Sequence, residues 1–175
     1  FNDAEHDENV KVIILKANGE VFSAGADLDY LKKLQSNTFE ENLADSNLLR
    51  KLFEQIYSQP KIVIAQVQGH AIAGGCGLAS VCDFIFTTPQ AKFGYTEVKI
   101  GFIPAIVAIF LIRRIGEGKA KELLFSGDLI DANYAKEIAL INYISDDDKI
   151  EDGATNLLEA YPHNRLVKHL MENCC

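Results

Sequence analysis

Residues 62–83, IVIAQVQGHAIAGGCGLASVCD, constrain what this chain can fold into more than any other stretch. The apolar run Ile62-Val63-Ile64-Ala65 reads as a buried strand. It leads through Gly69 into a small-residue turn, Ala73-Gly74-Gly75-Cys76-Gly77, and a short helix follows from Leu78 to about Cys82. Glycines between a buried strand and a helix start let the backbone approach a ligand closely and leave amide N–H groups open. Such a turn suits negative charge: a phosphate, a carboxylate or an oxyanion. The rest of the chain has to choose among them.

A similar turn occurs earlier. Val10 to Lys16 reads as a buried strand, with a turn at Asn18-Gly19, and Val21-Phe22-Ser23-Ala24-Gly25-Ala26-Asp27-Leu28 is again rich in small residues. Leu28, Leu31 and Leu34 then recur at helical spacing. The chain thus holds two strand, glycine turn, helix units, one ending near Ala26 and one near Gly74. Between them, Phe39 to Gln59 predicts a long amphipathic helix with Leu43, Leu48, Leu49, Leu52, Phe53 and Ile56 on its apolar face and Pro60 as its stop. FIFTT and AKFGY, in segment 84–94, read as short strands joined at Pro89-Gln90. Pro104 can sit in the first turn of an apolar helix ending at Gly116, and a second helix, about 118–125, is closed by Gly127. Asp131 is a plausible N-cap for a helix from Ala132 to Leu140, and Ile141 to Ile144 reads as a late strand. Residues 1–9 look like the end of a helix plus a loop, and 145–175 is polar with weak helical character. Strands alternating with helices predict an α/β fold with a largely parallel sheet, without an internal repeat of fixed period.

Composition narrows the function classes. With 175 residues, 48% of them hydrophobic and 24% charged, the chain is expected to form one domain with a real core. A net charge of −8 and the lack of a basic run argue against nucleic acid as a partner. The apolar run from Phe102 to Ile112 stops at Arg113-Arg114, well short of the ~20 residues a membrane span requires. Cys76, Cys82, Cys174 and Cys175 form no CxxC pair and fit no common zinc site, so no metal is expected. They read as two core residues and two tail thiols in a reducing compartment. The chain opens at Phe1 with no initiator Met and no signal-like segment, so its natural N-terminus is expected further upstream.

Two glycine turns about 50 residues apart can aim two backbone N–H groups at one point, the geometry of an oxyanion hole. A dinucleotide fingerprint competes for the second turn: Gly75-Cys76-Gly77-Leu78-Ala79-Ser80 has the first two glycines, and Glu97 lies 20 residues past Gly77. Its sixth position is Ser80, where that fingerprint has Gly or Ala, and the turn sits mid-chain. A Cys76 nucleophile activated by His70 is a further option, since a helix N-terminus lowers a thiol pKa, but no third group is in view to orient the pair. For proton chemistry the best candidate is Glu97, in the apolar and aromatic segment Phe93-Gly94-Tyr95-Thr96-Glu97-Val98-Lys99-Ile100-Gly101. Desolvated there, it would have a raised pKa and act as acid or base near neutrality; the alternative is an exposed glutamate paired with Lys99. His70 reads as a packed histidine and Asp83 as a turn or helix-terminal carboxylate.

Phe22 to Leu28, Gln68 to Ala79, Cys82-Asp83, Phe93 to Pro104, and Phe125-Ser126-Gly127-Asp128-Leu129-Ile130-Asp131-Ala132 with Ala135 and Ala139-Leu140-Ile141 resemble, in this order, the enoyl-CoA hydratase/isomerase (crotonase) superfamily. The resemblance runs from about Val10 to Ile144. It implies an α/β fold, a crotonase-type spiral of ββα units with a helical C-terminal part, and homotrimers or dimers of trimers. Residues 1–144 would be the core, with an opening hairpin before Phe1, and 145–175 an incomplete C-terminal helical or trimerisation segment. The substrates implied are acyl-CoA thioesters, with coenzyme A entering only as part of the substrate. Backbone N–H groups of Ala26 and Gly74 would hold the thioester oxygen, and Ala24, Ala26, Asp27, Leu28 and Asp29 would lie along the CoA moiety. Glu97 would be general acid/base. The family's hydratases usually carry another glutamate, and here its position holds Gly77. The GGCGLA turn with GYTEVKIGFIPA is similar to bacterial, cytoplasmic methylglutaconyl-CoA hydratases of leucine breakdown, whose acidic substrate can orient water itself. Hydration is expected first; isomerisation, decarboxylation or a silent acyl-CoA-binding or RNA-associated scaffold are the alternatives.

Overall fold

Strands of two to six residues gain little from their own hydrogen bonds and are stabilised by the faces they bury. In the computed structural model, which describes residues 1–146 and residue 150, they come in pairs that divide between two sheets. After a short helix α1 (Asn2–His6), β1 (Val12–Lys16) and β2 (Val21–Ser23) lead to α2 (Leu28–Leu34) and α3 (Phe39–Tyr57). β3 (Ile62–Val67) and β4 (His70–Ile72) lead to α4 (Gly74–Ser80). β5 (Phe84–Thr87) and β6 (Lys92–Gly94) lead through a 3₁₀ turn, Thr96–Ile100, to α5 (Ala105–Ser126). β7 (Ile130–Asp131), α6 (Ala132–Glu137) and β8 (Tyr143–Ile144) complete the described elements.

The first strands of the three pairs, β1, β3 and β5, enter a parallel sheet that β8 completes in the order β1-β3-β5-β8. The second strands, β2, β4 and β6, enter a sheet of order β2-β4-β6-β7, in which only β7 runs antiparallel. Each ββα unit therefore adds one rung to both sheets, as the expected spiral requires. All six residues of β3 are buried, with Ile64 paired between Ile14 and Phe84, which explains an apolar run without polar alternation. Val63, Ala65, Ile85, Phe93, Tyr95, Leu111 and Leu140 are buried in the core.

Helix boundaries follow local chemistry. Thr38 and Glu41 form a reciprocal capping box at the start of α3. Asp131 accepts the Tyr134 N–H at 2.8 Å to open α6, which stops at Glu137, short of the expected Leu140, because Ala139 turns to φ +61°. At Gly116 (φ 77°, ψ 161°) α5 breaks into two helices, and Gly127, in the left-handed region, ends the second.

Three expectations are corrected. β2 is a strand inside what read as a turn, and β4 occupies His70–Ile72, to which the sequence assigned no element. α4 begins at Gly74, four residues before Leu78, because Ala73 swings the chain with φ +54°. Only Phe53 and Ile56 of the apolar face of α3 are buried, whereas Leu43, Leu48, Leu49 and Leu52 are exposed. The helix meets the core through its C-terminal half, where Phe53 stacks on Phe110 with centroids 5.8 Å apart. Arg114, which the sequence marks only as the end of an apolar run, closes the core: Nε donates to Leu140 O (2.6 Å), one terminal nitrogen to Cys82 O (2.7 Å) and Ser80 O (3.3 Å), the other to Asn142 Oδ1 (2.8 Å). The segment expected to be helical after residue 144 lies, from 147 onward, outside the described residues apart from Ile150.

Candidate active site

The two glycine turns touch. Gly25 takes φ +88°, a conformation side chains resist, and a Cβ there would sit 3.0 Å from Ala73 Cβ and 3.1 Å from Gly74 N. A Cβ on Gly75 would lie 2.6 Å from Ser23 Cβ, so the start of α4 packs directly on the end of β2. Ser23 Oγ accepts the Gly25 N–H at 3.3 Å. Ala73 donates its own N–H to Gly94 O at 2.8 Å, fastening its positive-φ backbone to β6. Among the described residues no hydrogen bond engages the N–H of Ala26 or of Gly74. Two open amides therefore stand at one junction, on the two turns that the sequence singles out.

Glu97 lies three residues past Gly94, whose carbonyl accepts the Ala73 N–H. Tyr95, buried two residues earlier, bonds through its hydroxyl to Ser80 Oγ at 2.9 Å, which ties the 3₁₀ turn to α4. The Glu97 side chain is half-buried, and its Oε2 is buried without a hydrogen-bond partner among the described residues. Burial pushes its pKa above the ordinary carboxylate value. Lys99 pairs instead with Asp128, at 3.4 Å, so the alternative of a Glu97–Lys99 ion pair falls away.

The competing chemistries lose their geometry. Cys76 is fully buried, and burial pushes its thiol up to about 11, the opposite of an activated nucleophile. His70 uses Nδ1 to accept the Lys92 N–H at 3.2 Å. Asp83 is structural, accepting the Val63 N–H at 2.7 Å. The glycines of the would-be dinucleotide fingerprint lie inside α4 and serve packing, Gly75 against Ser23 and Gly77 against Val107. Among the described residues no cluster of three His, Cys, Asp or Glu side chains can hold a metal ion.

Of the residues expected along CoA, Ala24, Ala26, Asp27 and Asp29 are exposed and Leu28 opens α2. The Asp27 carboxylate is committed to capping that helix, accepting the N–H groups of Asp29 (2.8 Å) and Tyr30 (3.0 Å). A cavity of about 500 Å³ opens between α2, α3 and the chain just after Glu97, lined by Leu31, Leu34, Asn42, Ser46, Ile100 and Phe102. Sequence reasoning missed it, because Leu31 and Leu34 carry the periodicity of any core-facing helix.

Two sheets fed by successive strand pairs, with the two glycine turns in contact, define a crotonase-type fold. An enoyl-CoA hydratase from Shewanella pealeana superposes with a TM-score of 0.92 at 34% identity, over 98% of this chain and 66% of that one. The chain matches the enoyl-CoA hydratase/isomerase family over residues 1–173 and belongs to it. A Thermus thermophilus relative is 42% identical over 98% of this chain and 70% of its own length. A crotonyl-CoA hydratase of Syntrophomonas wolfei is 39% identical over 79% of this chain and 53% of its own. The chain thus spans about half to 70% of the length of these curated relatives. Among the described residues no helix is long and apolar enough to cross a membrane.

Proposed function

We propose that this chain forms the catalytic part of an enzyme that hydrates or dehydrates an enoyl-CoA through a thioester enolate. What supports the reading is the contact of residue 25 with residues 73 and 74, which joins the two turns, together with the desolvated carboxylate of Glu97, three residues past the Gly94 carbonyl that accepts the Ala73 N–H. The N–H groups of Ala26 and Gly74 donate to the thioester oxygen as it gains charge, and removing one such donor typically costs about 3 kcal/mol of transition-state stabilisation. Glu97 takes a proton from water as the oxygen adds to the β-carbon, then delivers that proton to the α-carbon of the enolate. One carboxylate thereby balances the addition. Backbone of Ala24 to Asp29 meets the CoA moiety, and the acyl chain enters the cavity beyond Leu31.

Methylglutaconyl-CoA, a leucine-breakdown intermediate, is the substrate we favour. Its second carboxylate can orient water where Gly77 supplies no acid, and Lys32 at the cavity wall is a cation for an acidic acyl group, in competition with Asp29 at 2.8 Å. The bare Gly77 also favours a second reading, double-bond isomerisation, which needs a single base to shuttle a proton. Assembly as a homotrimer or dimer of trimers in the cytoplasm completes the proposal.

The test is a mass-spectrometric screen of enoyl-CoA and 3-hydroxyacyl-CoA substrates in D₂O, with Glu97→Gln as control. Hydration lost by about 10²- to 10⁴-fold in that variant is expected. Deuterium exchange without net hydration would select the isomerase, loss of CO₂ the decarboxylase, and no exchange at all a silent scaffold.

A further inference from the structure

Gly77 stands three residues after Gly74 on α4, a spacing that places two residues on one face of a helix. A side chain at 77 would therefore start one turn beyond the amide assigned to the thioester oxygen. The backbone there is ordinary helix, where glycine costs about 1 kcal/mol relative to alanine, so conformation does not ask for it. Space does. A Cβ on residue 77 would lie 2.7 Å from Val107 Cβ and 3.3 Å from its Cγ2, with Cγ1 nearer still. All three nearest atoms belong to Val107, buried in the first half of α5. Tyr95, two residues before Glu97, bonds Ser80 Oγ of the same helix at 2.9 Å, which holds the 3₁₀ turn of Glu97 against α4.

We propose that Val107 keeps this site single-acid: it fills the volume over Gly77 from which α4 would present a second proton-transfer group, and so leaves both transfers to Glu97. The inference rests on the enolate chemistry proposed above, but its packing half stands apart from it. Val107→Ala would not undo the exclusion, because the Cβ at 2.7 Å remains, whereas Val107→Gly would. The pair 77/107 therefore acts as one steric unit whose members lie 30 positions apart in the chain.

The experiment is a set of full-chain variants, Gly77→Glu alone and combined with Val107→Ala or Val107→Gly, with Val107→Gly as the control for lost packing. Gly77→Glu is expected to lower Tm by roughly 5–10 °C through overpacking. Adding Val107→Gly should recover at least half of that loss, and adding Val107→Ala much less. Only the variant with both Gly77→Glu and Val107→Gly should raise the ratio of hydration to α-proton exchange, by tenfold or more over Val107→Gly. A wild-type Tm in Gly77→Glu would overturn the proposal, as would equal recovery with Ala and Gly at 107. So would a recovered Tm with an unchanged ratio, or a ratio raised as much in Val107→Gly alone. Undiminished exchange in Glu97→Gln would instead overturn the functional reading and Glu97's share of this one, while the Tm comparison still judges the packing.

Discussion

A carboxylate that is half-buried, with one oxygen unbonded among the described residues, carries a signature in both activity and stability. Glu97 must be ionised to accept a proton from water, so kcat/KM for hydration should fall as pH drops through a midpoint above the ordinary carboxylate value of 4.5. The stability effect has the reverse sense. Because the folded-state pKa is raised, the folded chain holds a proton where the unfolded chain has lost it, and stability drops as pH rises through that window. Glu97→Gln should consequently melt above the wild type at pH 7, with the gap closing near pH 4; scanning calorimetry at the two pH values checks the sign. Glu97 was legible from its aromatic, apolar neighbours, since desolvation leaves a local trace. Val107 left none: its role exists only through contact with Gly77, and no local pattern relates two positions on separate helices.

At the scale of elements, the hidden work is done by Arg114. It joins the end of α4 to the segment that enters β8 by donating to three carbonyls and to Asn142 Oδ1, which itself accepts the Ile85 N–H at 2.8 Å. Arg114→Met would strand those carbonyls in the interior, where an unmet acceptor costs about 1–3 kcal/mol. A loss of about 3 kcal/mol in urea unfolding is expected, and Arg114→Lys should recover less than half, because an ammonium cannot reproduce the planar fork. The sequence showed Arg113-Arg114 only as the end of an apolar run, since a buried arginine and an exposed one look alike before the carbonyls around it are known. The long elements were legible for physical reasons: β1 and β3 by their apolar runs, of which only β3 is buried, α3 by its apolar periodicity and Pro60, the two halves of α5 by Gly116 and Gly127. β2 and β4 were not, because three residues carry no readable period and take their strand geometry from sheet partners.

For the whole molecule, the two-sheet spiral could be expected only from the resemblance. Its units differ in length, and without a fixed period nothing in the chain announces that each pair of strands will divide between sheets. The apolar face of α3 misled for a related reason, because periodicity shows that a face is to be covered and not by what. Leu48 is 68% exposed and Phe39 75%, both on α3, and Ile103 ahead of α5 is 80% exposed, which makes them candidates for the contacts of the assembly proposed above. On that proposal the full chain runs as a trimer or a multiple of one in light scattering, and Leu48→Glu shifts it toward monomer while circular dichroism stays unchanged.

Ala73 holds a left-handed backbone that alanine adopts only at a cost of about 1–3 kcal/mol. Glycine there would relax it, so Ala73→Gly should raise Tm by a few degrees while slowing turnover, as the neighbouring Gly74 amide loses its fixed aim. Heat tolerance and catalytic speed are thus set against each other at a single methyl group. A population selected only for survival at high temperature would be drawn to discard that methyl, and one selected for flux would keep it.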